Sequence, residues 1–175
     1  IEKVGPVVGK ALRERALLAI IFALGSILVY VGIRFKNFGF AAAGVVALMH
    51  DIAVALGLSV IFGRQIDLLV VTALLTIAGY SINDTIIVFD RVRENMLKNK
   101  KMGLAEVINH SINQTLGRTI LTTFVTLLVV IALYCFGGEV LNTFSFVLII
   151  GFVCGVYSTM FIVTPLVLTF QKNWK

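Results

Sequence analysis

The chain has 175 residues, 59% of them hydrophobic and only 14% charged, with a formal net charge of +6 and a mean hydropathy of +1.01. A soluble domain needs a wetted surface, so this composition excludes a water-soluble enzyme or binding module and defines an integral membrane protein. The positive charge does not call for nucleic acid, because the basic residues cluster where apolar runs end, as the positive-inside rule describes.

Five runs are long and apolar enough to span a bilayer, at about 16–33, 38–62, 68–89, 116–136 and 144–170. They predict an all-α integral membrane fold with a transmembrane bundle over residues 16–175. Residues 1–15 start with Ile1, are charged and include Val4-Gly5-Pro6. They do not resemble a cleavable signal and read as the lead-in from a truncated extracytoplasmic domain. Cys135 and Cys154 have neither a disulfide framework nor metal-ligand spacing.

In the first span, Gly25 and Gly32 are seven apart on one face, which suits close helix contact. A hairpin at 34–37 returns the chain into the second span, where His50-Asp51 lies near the middle. Gly44, Ala47, Asp51, Ala55 and Ser59 share a small-residue face, which is expected to point inward. After a turn at 63–67, the third span shows a polar row, Thr72, Thr76, Tyr80 and Asp84, with Asn83 beside it. Such sorting predicts a helix lining a polar seam between neighbours. Basic residues then mark a long polar connection, and Leu104, Val107, Ile108 and Ile112 predict an amphipathic helix over about 103–115, lying on the membrane surface. The fourth span carries Arg118, Thr122 and Thr126 as a counterpart row. In the fifth, Gly151, Gly155 and Thr159 form a small-residue face, more suited to packing within the chain than to a dimer seam, and Pro165 is expected to kink the last turns. Trp174 and the terminal lysines read as an interfacial anchor. Ten of the fifteen Lys and Arg residues fall on 34–37, 90–118 and the tail. That places the fragment's N-terminus outside and its C-terminus in the cytoplasm.

The residue that most needs explaining is Asp84. It lies about six residues, roughly 9 Å of helix rise, inside the aqueous boundary at Asp90. An acid at such depth costs roughly 2.5 to 3.5 kcal/mol on insertion scales and marks a functional site by default. The third and fourth spans run antiparallel, so Arg118 is its natural charge partner. Desolvation favours the neutral acid and a guanidinium favours the anion, so the two forms can approach each other in energy, as a proton carrier requires. The plainer readings are a structural ion pair fixing helix register and, for Arg118 alone, a snorkelling boundary residue. For His50-Asp51 an internal hydrogen-bonded pair is the first reading and a secondary proton or conformational role the second. The only other histidine, His110, lies in the polar connection, so no metal site is expected. No catalytic triad, phosphate loop or HExxH motif occurs, and no enzymatic activity is expected.

The segment GYSINDTIIVFDRVREN at 79–95 resembles the SecF branch of the SecD/SecF family of protein-export membrane subunits, within the resistance-nodulation-division superfamily. Val4-Gly5-Pro6, His50-Asp51 after Ala47-Leu48-Met49, the run from Asn113 to Thr119 and Phe136-Gly137-Gly138 resemble that family's landmarks in the same order. The resemblance implies five transmembrane helices of a six-helix half-bundle in the bacterial cytoplasmic (inner) membrane. It also implies proton flow between SecD and SecF halves that moves extracytoplasmic domains to assist a preprotein leaving the SecYEG channel. SecD, SecYEG, the preprotein and membrane lipid are the implied partners, with YajC a further one. Asp84 and Arg118 are the implied proton-pathway residues, and His50, Asp51, Tyr80, Asn83 and Thr122 are secondary candidates. No cofactor beyond the proton gradient is implied. Two other readings stay open: half of a small-molecule proton antiporter, and a structural assembly subunit of the translocase.

Overall fold

The computed structural model describes residues 6–35, 38–99 and 101–170. Six α-helices follow one another: α1 Pro6–Phe35, α2 Phe38–Ile61, α3 Leu68–Lys98, α4 Leu104–Phe136, α5 Gly138–Ser158 and α6 Thr164–Phe170, with a π-helical turn Thr159–Val163 joining the last two. Five stretches have the length and apolarity of membrane spans, the last comprising α5, the π-turn and α6. The bundle is thus all-helical among the described residues, as the apolar runs require. The expected interfacial anchor at Trp174 lies outside the described residues.

Helices α2, α3 and α5 form the centre, and α1 and α4 lie at the edge. The small-residue face of α2 does point inward, with Gly44, Ala47, Asp51, Ala55 and Ser59 all buried. Small residues also set the α3–α5 contact. A Cβ added to Gly151 would overlap the side chain of Ile77, and one on Gly155 would come 3.2 Å from Ser81 Cβ and Oγ. One turn further, Thr159 Oγ1 lies 3.1 Å from Thr85 Oγ1. The pairs Ile77–Gly151, Ser81–Gly155 and Thr85–Thr159 advance together by four residues, so the two helices run parallel and backbone to backbone, as small-residue faces allow in a bilayer. That face serves packing within the chain.

The turns explain themselves locally. Asp67 caps α3, its Oδ1 accepting from the Val70 N–H at 2.9 Å, which satisfies one of the helix's unpaired donors. Gly63 and Gly138 hold φ of 67° and 74°, left-handed values that tight turns take most cheaply at glycine. Gly25, in contrast, meets nothing within 4 Å, and Gly32 approaches only Ala41 at 4.0 Å. The expected close contact on α1 is therefore confined to Gly32.

Two further elements differ from expectation. The segment around 103–115 is not a separate helix lying on the membrane: it is the first third of α4, continuous into the span. Its apolar stripe is real, but Val107 and Ile108 are buried in the cluster that holds Val88 and Val92 of α3. Helix α3 extends past Asp90 to meet it, and Asn95 Nδ2 bonds Ser111 Oγ and Gln114 Oε1, both at 2.9 Å. At 31 and 33 residues, α3 and α4 measure roughly 46 and 50 Å, longer than a hydrocarbon core of about 30 Å. Their paired ends are long enough to project beyond such a core, and there they cover each other. On this projection Glu94 accepts from Lys98 Nζ and Arg91 Nη1, each at 2.6 Å, and Lys98 first, then Arg91, hold its carboxyl below the usual range.

The second difference is the form of the expected break in the last span, which falls upstream of Pro165. The π-turn lies just before Pro165. Proline has no N–H and its ring crowds the carbonyl four residues earlier, at Phe161, inside that turn. A widened turn relieves this conflict.

Candidate functional site

Where α2, α3 and α5 meet, the carboxylate of Asp51 is completely buried. Its Oδ2 accepts from Ser81 Oγ of α3 and Ser158 Oγ of α5, both at 2.7 Å, and its Oδ1 faces His50 Nδ1 at 3.2 Å. Ser81 reaches the centre opposite Gly155, where an added Cβ would come 3.2 Å from its Oγ. An uncompensated acid here would be expensive. Three donors from three helices make it affordable. Next to this cluster, Thr85 and Thr159 pair, and Thr85 Oγ1 also bonds the Ser81 carbonyl at 3.3 Å.

Asp84 lies one turn along α3 from Ser81 and meets a different environment. It is 4% exposed and makes no hydrogen bond or ion pair with any described residue. Arg118, on α4, is the basic group whose charge acts on it. Arg118 is itself exposed and without a hydrogen-bond partner among the described residues, and the two do not close to a direct ion pair. Beside Arg118, the buried Thr119 hydroxyl also has no partner among the described residues. The α3–α4 seam therefore holds a buried acid, an unpaired hydroxyl and a guanidinium that feels the acid without binding it.

The remaining sequence candidates are spread along that seam. Tyr80 points its hydroxyl at Thr123 and Thr126 of α4, at 3.4 and 3.3 Å, and its ring lies 4.3 Å from that of Phe152. Thr122 returns its hydroxyl to the carbonyls of Arg118 and Thr119, and Asn83 is exposed. Thr72 and Thr76 do not line a seam within the chain: they are exposed and bond the carbonyls one turn back on their own helix. Only Tyr80 and Asp84 of that row turn toward α4.

Sequence reasoning missed Ser81, Ser158 and Arg64. Ser81 stands one turn before Asp84, and Ser158 lies one residue off the Gly151–Gly155–Thr159 face, so the signal was adjacency to positions already singled out. Arg64, in the turn after α2, donates to Asn142 Oδ1 at 2.6 Å and Tyr134 Oη at 3.2 Å and stacks 4.6 Å over the Phe146 ring. It lines an open pocket of about 450 Å³ with Glu139, Asn142 and Thr143. Among the described residues no group of His, Cys, Asp and Glu is placed to hold a metal ion.

A multi-pass helical membrane protein with ionisable groups set between its helices is the class that this fold and these sites define. The chain belongs to the SecD/SecF family: the family model for the C-terminal part of protein export membrane proteins SecD/SecF matches residues 1–173. It is 47% identical over 175 residues to the protein translocase subunit SecF of Koribacter versatilis, covering 100% of this chain and 43% of that protein. It is 45% identical to SecF of Thermodesulfovibrio yellowstonii, covering 99% of this chain and 58% of that one. The fused SecDF of Thermus thermophilus is 42% identical, over 99% of this chain and 24% of that protein. The crystal structure of SecDF from Thermus thermophilus superposes with a TM-score of 0.92 at 42% identity, over 97% of this chain and 24% of that one. A crystal structure of SecDF in a super-membrane-facing form gives 0.87 at 39% identity, over 97% of this chain and 22% of that one. The chain thus spans from about a quarter to somewhat over half the length of these relatives.

Proposed function

We propose that this chain is the membrane part of a proton-driven accessory subunit of the Sec protein translocase, in the bacterial cytoplasmic membrane. Its relatives are named protein translocase subunits. The observation that carries the mechanism is the state of Asp84, buried on α3 with only the Arg118 charge acting on it and no direct ion pair. An acid already locked to a guanidinium would have little reason to take up a proton. One that feels a guanidinium at a distance changes its preference when that distance or the local hydration changes. Protonation relaxes the demand for Arg118, deprotonation restores it, and the α3–α4 seam moves accordingly.

One elementary charge crossing about 100 mV supplies roughly 2.3 kcal/mol, enough to bias a helix or domain movement. The output is therefore motion, delivered to extracytoplasmic domains that assist a preprotein at the SecYEG channel, with YajC a further partner. The driving gradient takes the place of a cofactor. A SecD half covers the outward side of the α3–α4 seam, and the turns at 63–67 and 137–138 face outward from the cytoplasm.

The test is gradient-stimulated export in vesicles carrying the full subunit with SecD. Asp84→Asn and Arg118→Leu are expected to abolish the stimulation while assembly with SecD persists. Stimulation at the wild-type level in both variants would leave a structural assembly role instead.

A further inference from the structure

We infer that His50 and Asp51 form a second proton-binding site of the membrane bundle, separate from Asp84, whose charge state is transmitted to α5 through Ser158. The inference rests on the bundle being proton-driven but uses different residues.

The geometry supplies an entrance, a store and an output. The Asp51 carboxylate is wholly enclosed, whereas the His50 side chain is 38% exposed. The imidazole therefore bridges the buried acid and the outside of the chain. With Oδ1 of the carboxylate as acceptor, Nδ1 carries the hydrogen, and Nε2 has no partner among the described residues. A proton arriving at Nε2 lets the Nδ1 hydrogen pass to Oδ1, leaving a neutral imidazole protonated on Nε2 and a neutral Asp51. The reverse transfer restores the anion.

The output lies on the other oxygen. Ser158 Oγ has two acceptors within reach, Asp51 Oδ2 at 2.7 Å and the Gly155 carbonyl at 3.2 Å, and only one hydrogen to give. The charged carboxylate is the stronger acceptor. When it becomes neutral the hydroxyl turns toward its own helix, and the hydrogen bond between α2 and α5 is lost immediately before the π-turn Thr159–Val163. A π-turn is a local irregularity in the helix ladder, and such places are common at functional sites. Among the described residues Ser81 Oγ has only the carboxylate as acceptor, so the hydrogen bond between α2 and α3 persists while the one between α2 and α5 is lost.

The surrounding groups leave Asp51 as the switching charge. Helix α1 carries no charged residue between Arg15 and Arg34, and none occurs from 140 to 170. Helix α5 carries the partly buried Cys154 thiol. Helix α3 presents Ser81, with Asp84 one turn beyond it.

Infrared difference spectra of the full subunit with SecD in liposomes, taken between mildly acid and mildly alkaline buffer, read protonated carboxyl groups directly. Asp51→Asn keeps an oxygen that can accept from both serines, so hydrogen bonding and assembly are retained while the proposed proton acceptor is removed. The expected result is loss of one carboxyl band in Asp51→Asn and of a different one in Asp84→Asn, with Ser158→Ala shifting the first band without removing it. Asp51→Asn is also expected to reduce gradient-stimulated export with assembly intact. A spectrum of Asp51→Asn that superposes on wild type overturns the site. A band unmoved by Ser158→Ala, or export at the wild-type level in Asp51→Asn, overturns the coupling. Export unaffected by Asp84→Asn would instead count against the proposed function, whatever happens to the Asp51 band.

Discussion

Asp51 and Asp84 are both buried acids, and they are satisfied in opposite ways. Asp51 is held by two serines and a histidine, whereas Asp84 faces only a distant charge. This difference makes the surroundings of Asp51 sensitive to small steric changes. A methyl group at Gly155 would sit 3.2 Å from Ser81 Oγ, pressing on the hydroxyl that donates to Asp51. Overpacking of a close contact costs typically about 1 to 3 kcal/mol, and part of it here falls on a hydrogen bond to a charge. Gly155→Ala is expected to lower the thermal midpoint of the protein in detergent, with Gly155→Ser at least as harmful. Gly25→Ala, with open space around it, is expected to leave the midpoint unchanged or slightly raised. Equal behaviour at Gly155 and Gly25 would contradict the α3–α5 register.

Arg64 makes a second residue-scale case. Its guanidinium joins the turn after α2 to the corner between α4 and α5 through Asn142, Tyr134 and Phe146. Hydrogen bonds to a charged group contribute about 1.5 to 3 kcal/mol. Arg64→Ala is expected to destabilise by an amount in that range, and a double-mutant cycle with Asn142→Ala to show coupling of about 0.5 kcal/mol or more. Additive effects would mean that the 2.6 Å contact holds nothing together.

At the scale of elements, the α3–α4 projection depends on Asn95, which is buried and bonded to both Ser111 and Gln114. Asn95→Leu removes those donors and leaves the Ser111 and Gln114 oxygens without that partner, costing about 1 to 3 kcal/mol. Limited proteolysis should then cut between α3 and α4 sooner than in wild type, while the spans stay protected. The same projection shows what a sequence reveals about helices. Span count, the inward face of α2 and the small-residue face of α5 were legible because each is a periodic pattern on one helix. The period of Leu104, Val107, Ile108 and Ile112 is equally legible, but a stripe does not name its partner, which here is α3. The hydroxyls of Ser81 and Ser158 were not legible, since a serine that bonds its own helix and one that crosses to another look alike in sequence. Pro165 announced a break but not that the ladder would widen upstream of it.

At the scale of the molecule, the outer surfaces are of two kinds. Along α1, Leu17, Leu18, Ile21, Phe22, Val29 and Ile33 are exposed, and along α4 so are Leu121, Phe124, Val125, Leu128 and Val129. Apolar faces of this sort are at home against acyl chains. The exposed surface of α3 and α4 also contains a polar strip with Thr72, Thr76, Asn83, Arg118 and Thr122. The threonines satisfy themselves on their own helices, but the Asn83 amide and the Arg118 guanidinium have no hydrogen-bond partner among the described residues. Such groups do not face lipid within the hydrocarbon without partners. On the proposed reading the strip is the side on which another polar helix surface packs, next to the buried Asp84. With Cys135 and Cys154 replaced, Asn83→Cys and Thr122→Cys are expected to form disulfides with cysteines scanned through the SecD spans, whereas Phe22→Cys is expected to react only with a lipid-soluble maleimide. Cross-linking of position 22 in place of positions 83 and 122 would put the partner on α1, separate the Asp84 seam from the subunit boundary and remove the route by which a proton could pass between the two halves.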